Sequence, residues 1–216
     1  MLEKMEEFFN SRLDDYEKHQ LTCIESAQEF YPYTARLLPM DPESRVLDLG
    51  CGTGLELDYY FRLVPTANVT GVDISSGMLE VLNNKFQDKY LTLIHGSFFD
   101  VPFGKNAFDA SVSVESFHHF SQEEKINLYK KVYKALKPDG YFIITDYFSM
   151  SDDEEQFHRE EFVRLKNEQN IFDDELYHYD IPLTVDHEKE ALLAAGFSSV
   201  MVLKKWGATL AIKAIR

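Results

Sequence analysis

The residues best placed to do chemistry lie in Val46-Leu-Asp-Leu-Gly-Cys-Gly-Thr-Gly54, where a short apolar run enters three glycines at alternate positions. Glycine there lets the backbone adopt dihedrals closed to other residues and lets a ligand approach without meeting a Cβ. A helical stretch starts at Leu55, and its N-terminus offers N–H groups that no helical carbonyl occupies. Nineteen residues past Gly54, where the next apolar run ends, Asp73 is placed to accept hydrogen bonds from a ribose diol. Together, the glycine turn and the acid read as a nucleoside site. The spacing is G-x-G-x-G, which differs from the dinucleotide fingerprint G-x-G-x-x-G. A second set is Val114-Glu-Ser-Phe-His-His-Phe120. Its imidazoles, His118 and His119, have an ordinary pKa suited to taking a proton from a nucleophile. Glu115 is a further candidate, as a base or as a contact for a substrate amine.

Such groups meet only if a scaffold gathers the ends of several strands. Apolar runs predict strands at 45–49, 69–74, 91–95, 108–114 and 141–148, with helices at 55–64, 76–86 and 122–136 between them. The last helix carries Ile126, Leu128, Tyr129, Val132, Tyr133 and Leu136 near helical spacing, and Lys137-Pro-Asp-Gly140 is expected to break it and turn the chain. Strands alternating with helices imply a parallel sheet covered on both faces. A short helix at 187–195 closes on Gly196, and strands at 199–205 and 208–215 are separated only by Trp206-Gly207, which permits a hairpin and forbids a parallel crossover. The expected fold is a doubly wound α/β domain with a mostly parallel seven-stranded sheet and an antiparallel C-terminal hairpin at its edge. In an open sheet of this kind ligands sit beyond the carboxyl ends of the strands, so the segment 114–120 should line the pocket.

The chain of 216 residues has 37 Asp plus Glu against 22 Lys plus Arg, a formal charge of −15 and a pI near 4.8. That balance argues against nucleic acid and against anionic membranes, both of which are held by Lys and Arg. No apolar run approaches the roughly 18 residues of a membrane span, and the N-terminus lacks a basic region followed by an apolar stretch. Only Cys23 and Cys51 occur, far apart, which rules out a disulfide framework and suits a cytoplasmic location. The charge is concentrated. Residues 1–30 hold 8 acidic and 3 basic side chains, residues 151–190 hold 14 and 4, and the remainder balances at 15 and 15. One domain is expected, made of an N-terminal helical cap (1–40), a core (41–150), an acidic insertion (151–190) and a helix end with hairpin (191–216).

VLDLGCGTG followed by GVDIS resembles the first two motifs of the class I S-adenosylmethionine-dependent methyltransferases. The likeness continues through His95-Gly-Ser-Phe-Phe-Asp-Val-Pro-Phe103, Phe108-Asp109 and Leu136-Lys-Pro-Asp-Gly140, and resumes at Leu192 to Phe197. It implies a Rossmann-like fold with S-adenosylmethionine as cofactor. It further implies that Gly50, Cys51, Gly52 and Gly54 pass under the methionine part, that Asp48 faces its amino group, and that Asp73 holds the ribose. Ile74 and Met78 would pack on adenine, with Val114 at the methyl end. Where many relatives read Gly-Asp this chain has Gly96-Ser97, so the adenine contact passes to the Ser97 hydroxyl, the Phe98 N–H or Asp100. Relatives commonly carry a His pair like His118-His119.

In small-molecule members of the class the two acidic regions form a roof over the substrate. Here they would contribute Tyr16, His19, Phe157, His158, Phe162, Phe172, Tyr177, His178 and Tyr179, with Tyr147 from the last core strand. One or two helices are expected over 1–30, with Phe8, Phe9, Leu13, Tyr16 and Leu21 as buried positions. Aromatic rings beside acids suit a cationic or amine acceptor. The expected activity is methyl transfer to a small molecule by direct displacement. The alternatives are transfer to tRNA or protein, cofactor binding without transfer, and an NAD dehydrogenase. No metal site is evident, because His118-His119 lacks a partnered ligand set. The chain is expected to be a monomer or a homodimer.

Overall fold

Strands that are apolar on both faces need cover on both sides, and the computed structural model, which describes residues 1–216, provides it. In chain order the elements are β1 (Glu3–Lys4), α1 (Met5–Asn10), α2 (Leu13–Cys23), α3 (Ala27–Arg36), β2 (Arg45–Leu49), α4 (Leu55–Leu63), β3 (Asn68–Asp73), α5 (Ser76–Lys85), β4 (Tyr90–His95) and β5 (Phe108–Val114). A 3-10 turn at Phe117–His119 follows, then α6 (Gln122–Ala135), β6 (Leu136–Tyr147), α7 (Asp152–Glu168), β7 (Tyr177–His178), α8 (Val185–Ala195), β8 (Ser199–Trp206) and β9 (Thr209–Ile215). The main sheet has the order β4-β3-β2-β5-β6-β9-β8. β4, β3, β2, β5 and β6 are parallel, and the β8–β9 hairpin adds antiparallel to β6, as expected.

One apolar cluster packs α6 and α8 onto the sheet through Leu128, Tyr129, Val132, Ala191 and Leu192. The other packs α3, α4 and α5 on the opposite side through Phe30, Tyr31, Tyr60, Phe61 and Leu82. The chain winds outward from β2 to β4 and then crosses to β5, so the strand order reverses between β2 and β5. At such a reversal the loops leaving neighbouring strands diverge and open a crevice.

Three expectations are corrected. The N-terminal region holds a third helix, α3, whose buried Phe30, Tyr31, Thr34 and Ala35 follow helical spacing. The segment 137–140 does not turn the chain away. β6 already begins at Leu136, and the kink is absorbed by Asp139 at φ +63° and a register shift opposite Phe108–Ala110. Phe8, Phe9, Leu13, Tyr16 and Leu21 are only half-buried, and neither α2 nor α7 contains a buried residue. The physical reason is that α1 and α2 roof a cavity and α7 lies on the outside, so these positions do not face a packed core. The two acidic segments are also tied to each other, because β1 and β7 pair antiparallel, Glu3 opposite His178 and Lys4 opposite Tyr177.

Candidate active site

The glycine loop leaves β2 with Gly50 at φ +71° and Gly52 at φ +48°, in the left-handed region. A Cβ on Gly50 would stand 2.1 Å from the Ser116 hydroxyl, so the approach of the loop after β5 requires glycine there. Asp73, at the end of β3, is fixed by two backbone donors, Gly52 N to Oδ2 and Ser75 N to Oδ1, both at 2.8 Å. Its remaining lone pairs are left for a ligand. Asn10 of α1 accepts from the Ser75 hydroxyl at 2.7 Å and from Gly77 N at 3.0 Å, which clips the N-terminal helices onto this loop. Gly50, Gly52, Asp73, Ile74, Met78 and Phe98 line one cleft, joined by Met5, Phe9, Tyr16, Glu115, Ser116 and His119. Beneath the loop, Asp48 is 1% exposed and both its carboxylate oxygens lack a hydrogen-bond partner, as does Oε1 of buried Glu56 at the first turn of α4. Burial, with Glu56 beside it, pushes the Asp48 pKa well up, and burial raises Glu56 too.

A second cavity of about 620 Å³ opens beside the cleft and shares Phe9, Tyr16, Glu115 and His119 with it. Its polar wall is organised by Asp146, on β6. Asp146 Oδ1 lies 2.6 Å from His118 Nδ1 and accepts Tyr147 N at 2.9 Å, while Oδ2 accepts Phe117 N at 2.7 Å. This leaves His118 Nε2 facing Asp180 Oδ1 at 3.7 Å. His119 Nδ1 lies 3.1 Å from both the Tyr179 carbonyl and Asp180 Oδ1. Burial alone would lower the His118 pKa, but Asp146, helped by Asp180 and Glu115, carries it up to about 9. Burial and the neighbouring His118 lower His119. Burial and Asp146 raise Glu115 to about 8. Burial opposes the ionisation of Asp180, yet His119 and His118 hold its pKa well below the usual carboxylate range. Near neutral pH the wall therefore presents one imidazolium, His118, and one neutral imidazole, His119.

Several sequence expectations fall elsewhere. Cys51 turns away from the cleft, its Sγ sitting where a Cβ on Gly71 would be. Gly54 serves close packing, since its Cβ would stand 2.4 Å from Leu82. The Ser97 hydroxyl accepts from Phe99 N within its own loop, and Val114 is in the core. Tyr16, His19 and Tyr147 line the large cavity, whereas Tyr177 lies off it and donates to Asp173. Residues alternate along β7, so its neighbour His178 takes the inner position and stacks on Phe8 with ring centroids 3.5 Å apart. Phe157 and Phe172 are exposed on the outside. Asp146 and Asp180 were missed. The first closes a parallel strand, the position from which ligands are held, so the sheet pattern could have flagged it. No periodicity marks the second.

Residues 46–140 match the family model described as a methyltransferase domain. Residues 46–140 thus form a methyltransferase domain of the S-adenosylmethionine-dependent kind. The chain is 33% identical over 102 residues to the fatty-acid O-methyltransferase of Mycolicibacterium smegmatis, covering 47% of this chain and 36% of that protein. It is 27% identical over 165 residues to the phosphoethanolamine N-methyltransferase of Plasmodium falciparum, covering 76% and 57%. The chain thus spans little more than a third of the first relative and under two thirds of the second. A solved S-adenosylmethionine-dependent methyltransferase from Thermotoga maritima superposes with a TM-score of 0.66 at 19% identity, covering 98% of this chain and 99% of that one, and shares the fold.

The residues present fit S-adenosylmethionine. Asp73 offers free lone pairs for a ribose diol, Ile74 and Met78 an apolar wall for a base, and the buried Asp48–Glu56 pair, whose carboxyl groups find only each other, a place for an ammonium group beneath the loop. The cleft itself holds only about 40 Å³, against the roughly 300 Å³ at which ligand pockets begin. Tyr16 packs over it, its hydroxyl 3.7 Å from a Cβ built on Gly52. Entry of a nucleoside therefore requires the Tyr16 side chain to move off the glycine loop.

Proposed function

We propose that this chain transfers the methyl group of S-adenosylmethionine to a small molecule seated in the 620 Å³ cavity. The observation that carries this reading is the seam between the two cavities, where Phe9, Tyr16, Glu115 and His119 belong to both. A donor in the cleft and an acceptor in the cavity meet at that seam. The bound sulfonium supplies an electrophilic methyl group that is already activated, so the protein's share is alignment and exclusion of water. Asp73 and the glycine loop hold the donor. Tyr16, His19 and Tyr147 flank the acceptor, with α1 and α2 closing over both. His119, neutral and hydrogen-bonded at one nitrogen, is the group suited to take a proton from the acceptor. His118, kept charged by Asp146, supports the polar wall and orients its neighbour.

The acid-rich, roofed cavity supports a small acceptor over a nucleic acid, whose phosphates the wall would repel. The two relatives are named for a fatty acid and for phosphoethanolamine, which agrees with this class. Calorimetry with S-adenosylhomocysteine should give saturable binding that Asp73→Ala weakens by at least about tenfold, the loss of two hydrogen bonds to a charged acceptor. Release of S-adenosylhomocysteine with a panel of small acceptors then measures transfer. Unchanged affinity in Asp73→Ala would refute the cofactor site, and tight binding without turnover on any acceptor would refute transfer.

A further inference from the structure

Glu115 is unusual in three independent respects. It is a non-glycine residue at φ +48°, a conformation disfavoured for side chains and concentrated at functional sites. Its Oε1 is buried with no hydrogen-bond partner. It also stands at the seam, lining both the cofactor cleft and the acceptor cavity. Asp180, on the cavity wall, has its Oδ1 buried without a well-directed donor, His119 Nδ1 standing 3.1 Å away, while the Tyr147 hydroxyl donates to the same carboxylate. Elsewhere the cavity adds Asp15 and Glu25, while its one permanent cation, Arg12, is committed to Glu3 and to the face of Phe8 at 3.7 Å. Buried carboxylate oxygens without donors call for a cation. The rings of Phe9, Tyr16 and Tyr147 around them favour an organic one.

We propose that the acceptor is an amine, bound as its ammonium between Glu115 and Asp180 and methylated on nitrogen. This rests on the methyltransferase reading above. The ammonium gives one proton to the neutral His119, the freed nitrogen lone pair forms the N–CH3 bond as the S–CH3 bond breaks, and the bonding pair stays on sulfur. The products are the methylated ammonium, S-adenosylhomocysteine and protonated His119, which returns its proton to solvent. A metal ion is the other cation that could satisfy this wall, since His118, His119 and Asp180 bring ligand atoms within 4.8 Å of one another. The aromatic rings beside the two acids favour the organic cation, and the metal is decided by the test.

The test uses probes matched in size, namely phenethylamine, its N,N,N-trimethyl form, 3-phenyl-1-propanol and 3-phenylpropanoate, each titrated into the S-adenosylhomocysteine complex without added metal. The expected result is that both cations bind at least about tenfold more tightly than the alcohol or the acid, and that N-methylphenethylamine forms when S-adenosylmethionine is supplied. At pH 8.5, where the Glu115 carboxyl is ionised, Glu115→Gln should weaken both cations by about 30-fold or more, the loss of one buried charge partner, and leave the alcohol unchanged. Asp180→Asn, at a more exposed position, should act in the same direction and keeps the test valid if Glu115→Gln perturbs folding. Preference for the alcohol or acid would overturn the amine and leave methyl transfer standing. Acceptor binding that depends on added Zn²⁺ or Mn²⁺ would also overturn it, in favour of a metal at the His pair. Failure to bind S-adenosylhomocysteine at all would overturn the methyltransferase reading itself.

Discussion

Replacing Asp146 by Asn tests whether the charge of His118 is built into the fold. The side chain keeps its shape and loses its charge. His118 faces Asp146, Asp180, Glu115, His119 and Tyr147, and Asp146 provides the largest upward push on its pKa. Moving from 6.5 to about 9 corresponds to about 3 kcal/mol of folding free energy, at about 1.4 kcal/mol for each pKa unit. Because the folded value lies above the unfolded one, this stabilisation is complete below pH 6.5 and is lost as pH rises through about 9. Asp180 and Glu115 remain in the variant, so the charge lost in Asp146→Asn should by itself cost roughly 2 kcal/mol at pH 6, a fall in Tm of about 4–8 °C for a chain of this size. Above pH 9.5 His118 is neutral in both proteins, so the pH-dependent part of the difference should vanish, leaving a constant cost of about 1–3 kcal/mol because the Asn NH2 cannot accept from Phe117 N as Asp146 Oδ2 does. Urea unfolding of both proteins from pH 6 to 10 measures it, and the NMR titration of His118 locates its pKa directly. A stability difference that stays flat with pH, or a wild-type His118 titrating near 6.5, would refute the reasoning.

Glu115→Gln should show the opposite sign. The carboxyl is raised from 4.5 to about 8, so it burdens the fold not at all below pH 4.5 and fully above pH 8. Gln should therefore stabilise by up to about 5 kcal/mol at pH 8.5 and by almost nothing at pH 4, as read by chemical denaturation; a loss of stability at pH 8.5 would contradict this. Gly50→Ala combines left-handed strain of about 1–2 kcal/mol with a Cβ 2.1 Å from Ser116 Oγ, whereas Gly52→Ala meets only Tyr16 at 3.7 Å. Thermal melts and calorimetry should find Gly50→Ala the more damaging to both stability and S-adenosylhomocysteine affinity. If Tyr16 moves by a lift of α2, hydrogen exchange over residues 13–23 should change on adding S-adenosylhomocysteine, and a pattern identical with and without it would show that α2 stays in place.

The parallel body was legible because its determinants are local. An apolar run that ends in glycine, followed by helical spacing, specifies β2-α4, and the acid ending β3 marks where the proposed ribose contact lies. The hairpin β8–β9 was legible from the shortness of its link. What misled was the Pro-Gly pair at 138–140, read as a turn. Pro138 enters the extended run of β6, and the local irregularity falls on Asp139 and on the register opposite β5, which only pairing reveals.

The roof resisted reading for a different reason. Helices α2 and α7 bury no residue, so the periodicity that reports core packing is weak in them, and the aromatic rings nominated there divided by side only once β1 paired with β7. That pairing of four residues decides that His178 and not Tyr177 faces inward. The same logic explains the chemistry that was missed. Asp180 follows directly on β7, and it meets His118 and His119 only because the second acidic segment is clipped to the first. The net charge of −15 is therefore not only a solvated exterior. Four of its carboxylates, Asp15, Glu25, Glu115 and Asp180, reach the cavity wall, and for Glu115 and Asp180, whose oxygens are buried there, desolvation makes the sign matter to whatever is bound.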